Sequence, residues 1–256
     1  MRFNKRLFLL IATTVIAILL MCVIDPIKQD INYHSFADTR EFASIPNFFN
    51  VTSNLPFIFI GVAGIRQFLK IKPDYASSIA LKSIFLAFFI GITLTGIGSG
   101  YYHLNPNNDS LLWDRLPMTI SFMAFFSMVV GECISEELAD RIFPILIALG
   151  IASVFYWFAT EVHGRGDLRP YLLVQFLPVA LLPLILWLFA VNRKDCSYVW
   201  AVLGTYFLAK TAELFDRQLF STLQVISGHS LKHLFAACGT YIVYRRFITL
   251  TENETL

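Results

Sequence analysis

The stretch LFLLIATTVIAILLMCVI, residues 7–24, carries no charged side chain over its whole length. A helix of this length and composition can cross the hydrocarbon core of a bilayer, which is about 30 Å thick. Further apolar runs of similar length lie at 50–70, 78–102, 115–133, 142–160, 170–191, 197–215 and 229–248. The sequence therefore predicts an all-α fold, a polytopic bundle of eight membrane-spanning helices.

The composition supports an integral membrane protein. Hydrophobic residues make up 56% of the chain, charged residues make up 15%, and the mean hydropathy is +0.63. These values lie outside the range of ordinary soluble domains. A net charge of +2, with basic residues scattered at segment ends, argues against nucleic-acid binding, and no protein partner is implied. The cysteines show neither a CxxC pair nor a disulfide framework: Cys22, Cys133, Cys196 and Cys238.

The first run follows three basic residues, as a signal peptide would, but it lacks a small-residue cleavage site before Asp25. We interpret it as a retained anchor helix. The connections between the runs are short, for example NPNNDS (105–110) and NRKD (192–195), and none is long enough to divide the chain.

The distribution of basic residues predicts the orientation. The N-terminus, 66–82, 134–141, 192–196 and the C-terminus together hold twelve lysines and arginines, whereas the alternate set of connections holds six. The positive-inside rule then places both termini in the cytoplasm. Under this topology every histidine lies near the extracytoplasmic face: His34, His103, His163, His229 and His233.

Polar residues converge at that face. The third run ends GIGSGYYH (96–103), where Ser99 and His103 are four residues apart and share one helix face. The fourth opens WDRLPM (113–118) with Asp114, and the last opens GHSLKH (228–233) with His229 and His233, again four apart.

These residue types match a catalytic zinc site. Three neutral imidazoles, His103, His229 and His233, would hold the ion, leaving a position for water whose pKa the metal lowers to about 7. Asp114 is the candidate proton acceptor for that water, and Ser99 could hydrogen-bond the water or an oxyanion.

Each motif also has a structural interpretation. An isolated HxxxH pair at a membrane boundary is as often hydrogen-bonded across helices, and Ser99 alone is more typical of a small packing residue. Asp114 alone could cap its helix or pair with Arg115. Lys232 is expected to snorkel toward headgroups. Lys210, Glu213 and Asp216, spaced by three, predict an intramembrane ion-pair ladder, with a proton relay as the alternative.

The combination of SGYYH, WDRLPM and GHSLKH resembles the alkaline ceramidases of the CREST superfamily of membrane hydrolases. The segment YHSFADTREFASIPNFFNVTSNLPF (33–57) is similar to bacterial members in particular. The resemblance covers roughly residues 33–247 and implies a seven-helix core. We therefore expect an N-terminal anchor helix and the start of an outer loop in residues 1–32, followed by a hydrolase domain in 33–256.

Position by position, the resemblance implies zinc on His103, His229 and His233, with Ser99 and Asp114 assisting the water. It also implies hydrolysis of the amide bond of a ceramide-like membrane lipid, releasing a sphingoid base and a fatty acid. Animal members place an acidic calcium site before the first core helix. Here the corresponding stretch offers Asp38, Glu41 and Asn47, which have fewer acidic oxygens than calcium prefers, or which form part of an exposed ion-pair group.

Other functions are compatible with the same residues. The same zinc water would attack the ester of another acyl lipid. A transporter or receptor could use the polar residues as an ion or ligand site, although no internal repeat typical of transporters is found. Bis-histidine haem binding leaves Asp114 without a role.

Overall fold

The computed structural model describes residues 5–71, 79–189 and 196–253. These ranges leave out Arg2, the loop at 72–78 and the connection NRKD (192–195), which hold basic residues counted for the predicted orientation. The described part of the chain consists of helices joined by loops, and its only extended pairing is one isolated bridge between Phe42 and Ile45. Its helices are α1 (Lys5–Val23), a 3-10 turn (Ile31–His34), α2 (Phe48–Thr52), α3 (Leu55–Phe68), α4 (Ile79–Leu104), α5 (Asn108–Cys133), α6 (Glu136–Val162), α7 (Arg169–Phe189), α8 (Tyr198–Leu214), α9 (Asp216–Leu223) and α10 (Gly228–Asn253).

The predicted all-α membrane bundle is confirmed. Six segments are long and apolar enough to span a bilayer: α1, the α2–α3 unit, α4 from Leu81, α5, α6 and α7. Helices also occupy the remaining two predicted runs, but α8 has only 17 residues and α10 carries charged side chains in both halves. The chain is a multi-pass membrane protein.

The turn between α4 and α5 determines where the polar residues meet. Asn107 caps α5 by accepting the Ser110 N–H at 2.9 Å, while the Ser110 hydroxyl accepts the Asn107 N–H at 3.2 Å. This reciprocal cap satisfies amide groups that an α-helix start leaves unpaired. Because the turn is so short, α5 runs back directly beside α4.

Gly98 allows α4 and α5 to touch. A Cβ atom at this position would lie 2.0 Å from the Trp113 carbonyl oxygen, far inside any allowed contact. A glycine is therefore required at this crossing, and it brings Ser99 of α4 alongside Asp114 of α5. The small residues of GIGSG thus serve helix packing here, as one of the two interpretations of the motif predicts.

Two apolar clusters fill the bundle. The larger one lies at the end opposite the histidines, where Phe85, Phe89 and Phe247 stack with centroid separations of 4.9 to 6.4 Å. The smaller one lies at the histidine end and includes Tyr102 and Trp157, both nearly inaccessible to solvent. Helix α1 packs against α7, and the segment after it is tied to the bundle by a hydrogen bond from the Leu168 N–H to the Ile27 carbonyl.

Candidate metal centre

Three histidine rings meet at one end of the bundle. His103 stands on the last turn of α4, and His229 and His233 stand on the first two turns of α10. The ring centroids are 4.9, 5.0 and 4.8 Å apart, and one ring nitrogen of each lies within 4.8 Å of the others. The contact between the third and eighth predicted spans, which the metal hypothesis requires, is therefore present.

All three histidine side chains are buried, and two of them have ring nitrogens without a hydrogen-bond partner among the described residues. Their exposed fractions are 1% for His103, 5% for His229 and 4% for His233. Both ring nitrogens of His103, and Nε2 of His229, have no hydrogen-bond partner within the described part of the chain. A buried polar atom without a partner costs about 1–3 kcal/mol. A divalent ion that accepts one lone pair from each ring reduces that cost, so the residues fit a metal ion of the type that imidazole prefers.

Hydrogen bonding orients the ring of His233. Ser53 donates its hydroxyl hydrogen to the Asn50 carbonyl at 3.1 Å, so its oxygen is left to accept from Nδ1 of His233 at 2.8 Å. A histidine that donates from Nδ1 keeps its lone pair on Nε2. Metal-binding histidines in general are held by such a donation from the nitrogen that does not bind the ion.

The start of α10 is held against α8 and α9. Asp216 accepts the His229 N–H at 2.7 Å and, with its other oxygen, the Ala37 N–H at 2.9 Å. A Cβ atom at Gly228 would lie 2.1 Å from the Ala212 carbonyl oxygen, so only glycine allows this approach. The glycine of GHSLKH thus sets the position of the histidine that follows it.

An aromatic ring covers two of the histidines. The Phe36 ring lies with its centroid 4.7 Å from that of His103 and 4.5 Å from that of His229. The hydrogen bond from Ala37 to Asp216 anchors the segment that carries Phe36. The metal candidate is therefore shielded on this side by an apolar side chain.

Ser99 and Asp114 lie together at the crossing of α4 and α5. Both are buried, with exposed fractions of 3% and 7%, and the Ser99 hydroxyl interacts with the Asp114 carboxylate. Together with His233 they line the wall of one cavity. Asp114 is not the cap of α5, since Asn107 has that role.

The cavity has a volume of about 480 Å³ and extends from this polar end into the apolar part of the bundle. Its walls come from α3, α4, α5, α7, α8 and α10 and from the segment that follows α1. Beyond the polar residues at this end, which include Arg115 and Lys232, much of its wall consists of side chains suited to hydrocarbon, including Phe57, Phe88, Ile92, Phe122, Phe125 and Val243. A long apolar chain with one polar end fits such a space.

The predicted ion-pair ladder is only partly correct. Lys210 pairs with Glu213 at 2.7 Å, but the second partner of Glu213 is Lys232, at 2.6 Å. Asp216 instead binds two backbone N–H groups. Lys232 does not snorkel, since its side chain is only 18% exposed and turns toward α8. Glu213 thus balances two cations close to the histidines, which lowers their repulsion of a metal ion.

The calcium candidates do not form a shared site. The Asp38 carboxylate accepts two hydrogen bonds from the Arg40 guanidinium, with nitrogen–oxygen distances of 2.8 and 2.7 Å, and Asp38 is only 1% exposed. Asn47 donates its amide to the His103 carbonyl at 2.9 Å, and Glu41 is exposed. Calcium binding at Asp38, Glu41 and Asn47 stays a prediction, and it would require Asp38 to exchange a guanidinium for the ion.

The other two histidines are separate from the cluster. His163 is exposed and contacts only the Ala159 carbonyl of its own helix among the described residues. His34 lies between the Tyr102 hydroxyl at 2.9 Å and the Asn108 side-chain oxygen at 3.1 Å. Partial burial lowers the pKa of His34, against the opposing hydrogen bond to Asn108. The two hydrogen bonds of His34 secure the segment next to Phe36.

Several residues at the site escape sequence reasoning. Ser53 and Asn54 follow α2 in an apolar run, and Phe36 is one of twenty-five phenylalanines. None of them belongs to a motif with a characteristic spacing. A polar pair inside a predicted span, SN at 53–54, is the one signal that could have pointed to this contact.

Comparison with known proteins gives one match. The family model described as ceramidase matches residues 38–255, which is most of the chain and includes every residue of the histidine cluster. No curated protein matches the sequence. The chain belongs to the ceramidase family, and this membership supports a hydrolase that acts on the amide bond of ceramide, with a membrane lipid as substrate.

Proposed function

We propose that this ceramidase-family chain is a zinc-dependent intramembrane hydrolase that cleaves ceramide-like sphingolipids to a sphingoid base and a fatty acid. The observation that carries the proposal is a cluster of three buried histidines, two of them with unpartnered ring nitrogens among the described residues, of which His233 lines the polar end of a largely apolar cavity. A lipid amide requires this combination, since its linkage is polar while its chains are hydrocarbon.

His103, His229 and His233 are the proposed ligands. Three imidazoles with no carboxylate or thiolate among them are typical of catalytic rather than structural zinc. Bound there, zinc would act as a Lewis acid and lower the pKa of water to about 7. Ser53 and Asp216 support the ligands, the first through the His233 ring and the second through the His229 backbone.

Asp114 is the proposed general base. Its carboxylate is buried in the cavity wall next to Ser99, where it can take a proton from water and pass it to the departing amide nitrogen. Ser99 restricts the rotation of that carboxylate by donating its hydroxyl hydrogen to it, and it can turn the same hydrogen to the oxygen that becomes negative when the carbonyl is attacked. Phe36 excludes bulk water from the same space.

The proposed orientation follows from the basic residues. Both termini would lie in the cytoplasm and the histidines toward the extracytoplasmic face, as the positive-inside count indicates. Helix α1 precedes the residues that the family model matches, so we propose that it is an addition to a seven-helix hydrolase domain.

The decisive experiment measures metal and product on the same preparation. Purified protein should contain about one zinc per chain, and ceramide incubated with it should yield sphingoid base and fatty acid by mass spectrometry. His103→Ala should lose both metal and activity, whereas Asp114→Asn should keep the metal and lose most turnover. His163→Ala is the matched control, because this histidine is exposed and outside the cluster.

Two results would contradict the proposal. A metal-free preparation that is fully active would exclude the zinc site. If fatty acid is released from glycerolipids but never from ceramides, the protein is an esterase and not an amidase.

A further inference from the structure

Arg115 is a cation that the proposed reaction leaves without a role. It follows Asp114 on α5, its exposed fraction is 5%, and it lines the same cavity. A guanidinium keeps its charge under all physiological conditions, so burying it without an acceptor is costly. Its presence beside the proposed base calls for a partner.

The protein holds this guanidinium in a fixed orientation. One nitrogen, Nη2, donates to the side-chain oxygen of Gln29 at 2.6 Å. Three aromatic rings surround the guanidinium carbon, with centroids at 5.5 Å for Tyr33, 4.2 Å for Trp157 and 4.6 Å for Tyr171. Such rings stabilise a cation and restrict its plane. The side chain is therefore preorganised.

The second terminal nitrogen of Arg115, Nη1, does not take part in the hydrogen bond to Gln29. Nη1 is buried and has no hydrogen-bond partner, and no carboxylate lies within 4.0 Å of the guanidinium, within residues 5–71, 79–189 and 196–253. The Asp114 carboxylate interacts electrostatically with the guanidinium of Arg115, but its hydrogen bond is with the Ser99 hydroxyl. The cavity thus contains a fixed, unused hydrogen-bond donor.

We propose that Arg115 is the headgroup subsite, which donates from Nη1 to the C1 oxygen of the sphingoid half of the substrate. This inference rests on the proposed function. In a ceramide-like lipid the carbon that bears this oxygen is bonded to the carbon that bears the amide nitrogen. An amide placed between Asp114 and His233 therefore brings its headgroup oxygen toward the next side chain of α5 along the cavity wall.

This assignment explains how the cavity distinguishes the two ends of its ligand. The apolar walls accept any acyl chain, whereas a site with an unpaired buried donor rejects a ligand that lacks the matching oxygen. Arg115 would thus favour sphingoid amides over simple fatty amides. It is a specificity residue and takes no part in proton transfer.

The test compares ceramide with its 1-deoxy analogue, which has no C1 oxygen. The wild-type protein should hydrolyse the analogue with a kcat/KM about 10- to 100-fold lower, the usual range for a hydrogen bond from a charged donor. Arg115→Met should lower kcat/KM for ceramide by a similar factor and leave the value for the analogue nearly unchanged. Arg165→Met, an exposed arginine at the same end, is the control and should alter neither.

A purely structural role for Arg115 predicts a different pattern. If Arg115 only ties Gln29 and the aromatic rings together, Arg115→Met will weaken hydrolysis of both lipids equally, and the subsite is refuted. Equal hydrolysis of the two lipids by the wild-type protein refutes it without any variant, which covers the case in which Arg115→Met does not fold.

Binding of both lipids in detergent micelles separates this inference from the proposed function. If the wild-type protein binds ceramide more tightly than the analogue but cleaves neither, the hydrolase proposal fails and the subsite stands. If it cleaves both without discrimination and binds them equally, the subsite fails and the hydrolase stands.

Discussion

Replacing Gly98 by alanine tests whether the close crossing of α4 and α5 positions the catalytic pair. The new Cβ would lie 2.0 Å from the Trp113 carbonyl oxygen and 2.8 Å from its carbon, whereas ordinary contact begins near 3.4 Å. The helices must therefore separate by about 1.4 Å, since backbone atoms cannot rotate away as a side chain can. Overpacking of this kind costs about 1–3 kcal/mol, more than the roughly 1 kcal/mol that alanine gains over glycine in a helix.

The separation also moves Ser99 of α4 away from Asp114 of α5. A misplacement of about 1 Å in a catalytic site can lower the rate about 100-fold. We expect Gly98→Ala to lower both the unfolding temperature in detergent and kcat for ceramide. The metal content of the same sample shows separately whether His103, on the same helix, still binds the ion.

Gly100→Ala is the matched control for this prediction. Gly100 is two residues further along α4, and a Cβ there would meet nothing within 4 Å. This variant should be as stable as the wild type or slightly more so, with normal activity. If Gly98→Ala behaves like Gly100→Ala in both assays, the crossing does not control the site and the reasoning is wrong.

Two other substitutions test the supports of the site and the loop between α6 and α7. Ser53→Ala removes the acceptor for Nδ1 of His233, so zinc affinity measured against a chelator should fall about 10- to 100-fold; unchanged affinity would mean that Ser53 does not orient the ligand. The paired guanidinium of Arg169 holds the pKa of Asp167 below its usual range. The ionised carboxylate therefore stabilises the fold at pH values above about 3.9, the pKa of Asp in the unfolded chain. This contribution is lost as the pH falls through the lower pKa of the folded state. Asp167→Asn should therefore lower the unfolding temperature at pH 7 and weaken its dependence on acid, and an unchanged acid profile would show that the pair is not coupled to folding.

The helices and the histidine cluster are the parts that the sequence predicts well. Apolar runs of spanning length identify membrane helices because the bilayer leaves few alternatives for the backbone. The short turn at 105–110 predicts that the chain returns to the depth of His103 at Asp114, and the structure brings Asp114 to the same cavity as Ser99, on the helix that carries His103. Spacing within a helix then assigns Ser99 and His103, or His229 and His233, to one face.

Pairings between distant helices are not predictable in this way. Asp216 continues the spacing of Lys210 and Glu213, yet it binds backbone amides of Ala37 and His229. A spacing of three residues predicts neighbours only within one continuous helix. Because α8 ends at Leu214 and Asp216 begins the separate helix α9, Asp216 does not lie on the same helix face as Lys210 and Glu213. Glu213 pairs with Lys210 as the spacing predicts, but its second partner is Lys232, from a helix that sequence spacing cannot place.

The position of Phe36 determines how a lipid reaches the histidines. Its ring lies against His103 and His229, and the Ala37–Asp216 hydrogen bond holds the segment in place, so approach from that side requires the segment to lift. His233, Ser99 and Asp114 face the apolar cavity instead. A lipid that enters through the cavity keeps its chains in a hydrocarbon environment throughout, whereas approach past Phe36 would expose them to water. The arrangement therefore favours lateral entry between helices, which would bring the headgroup to the proposed subsite at Arg115 and the amide to the proposed base Asp114.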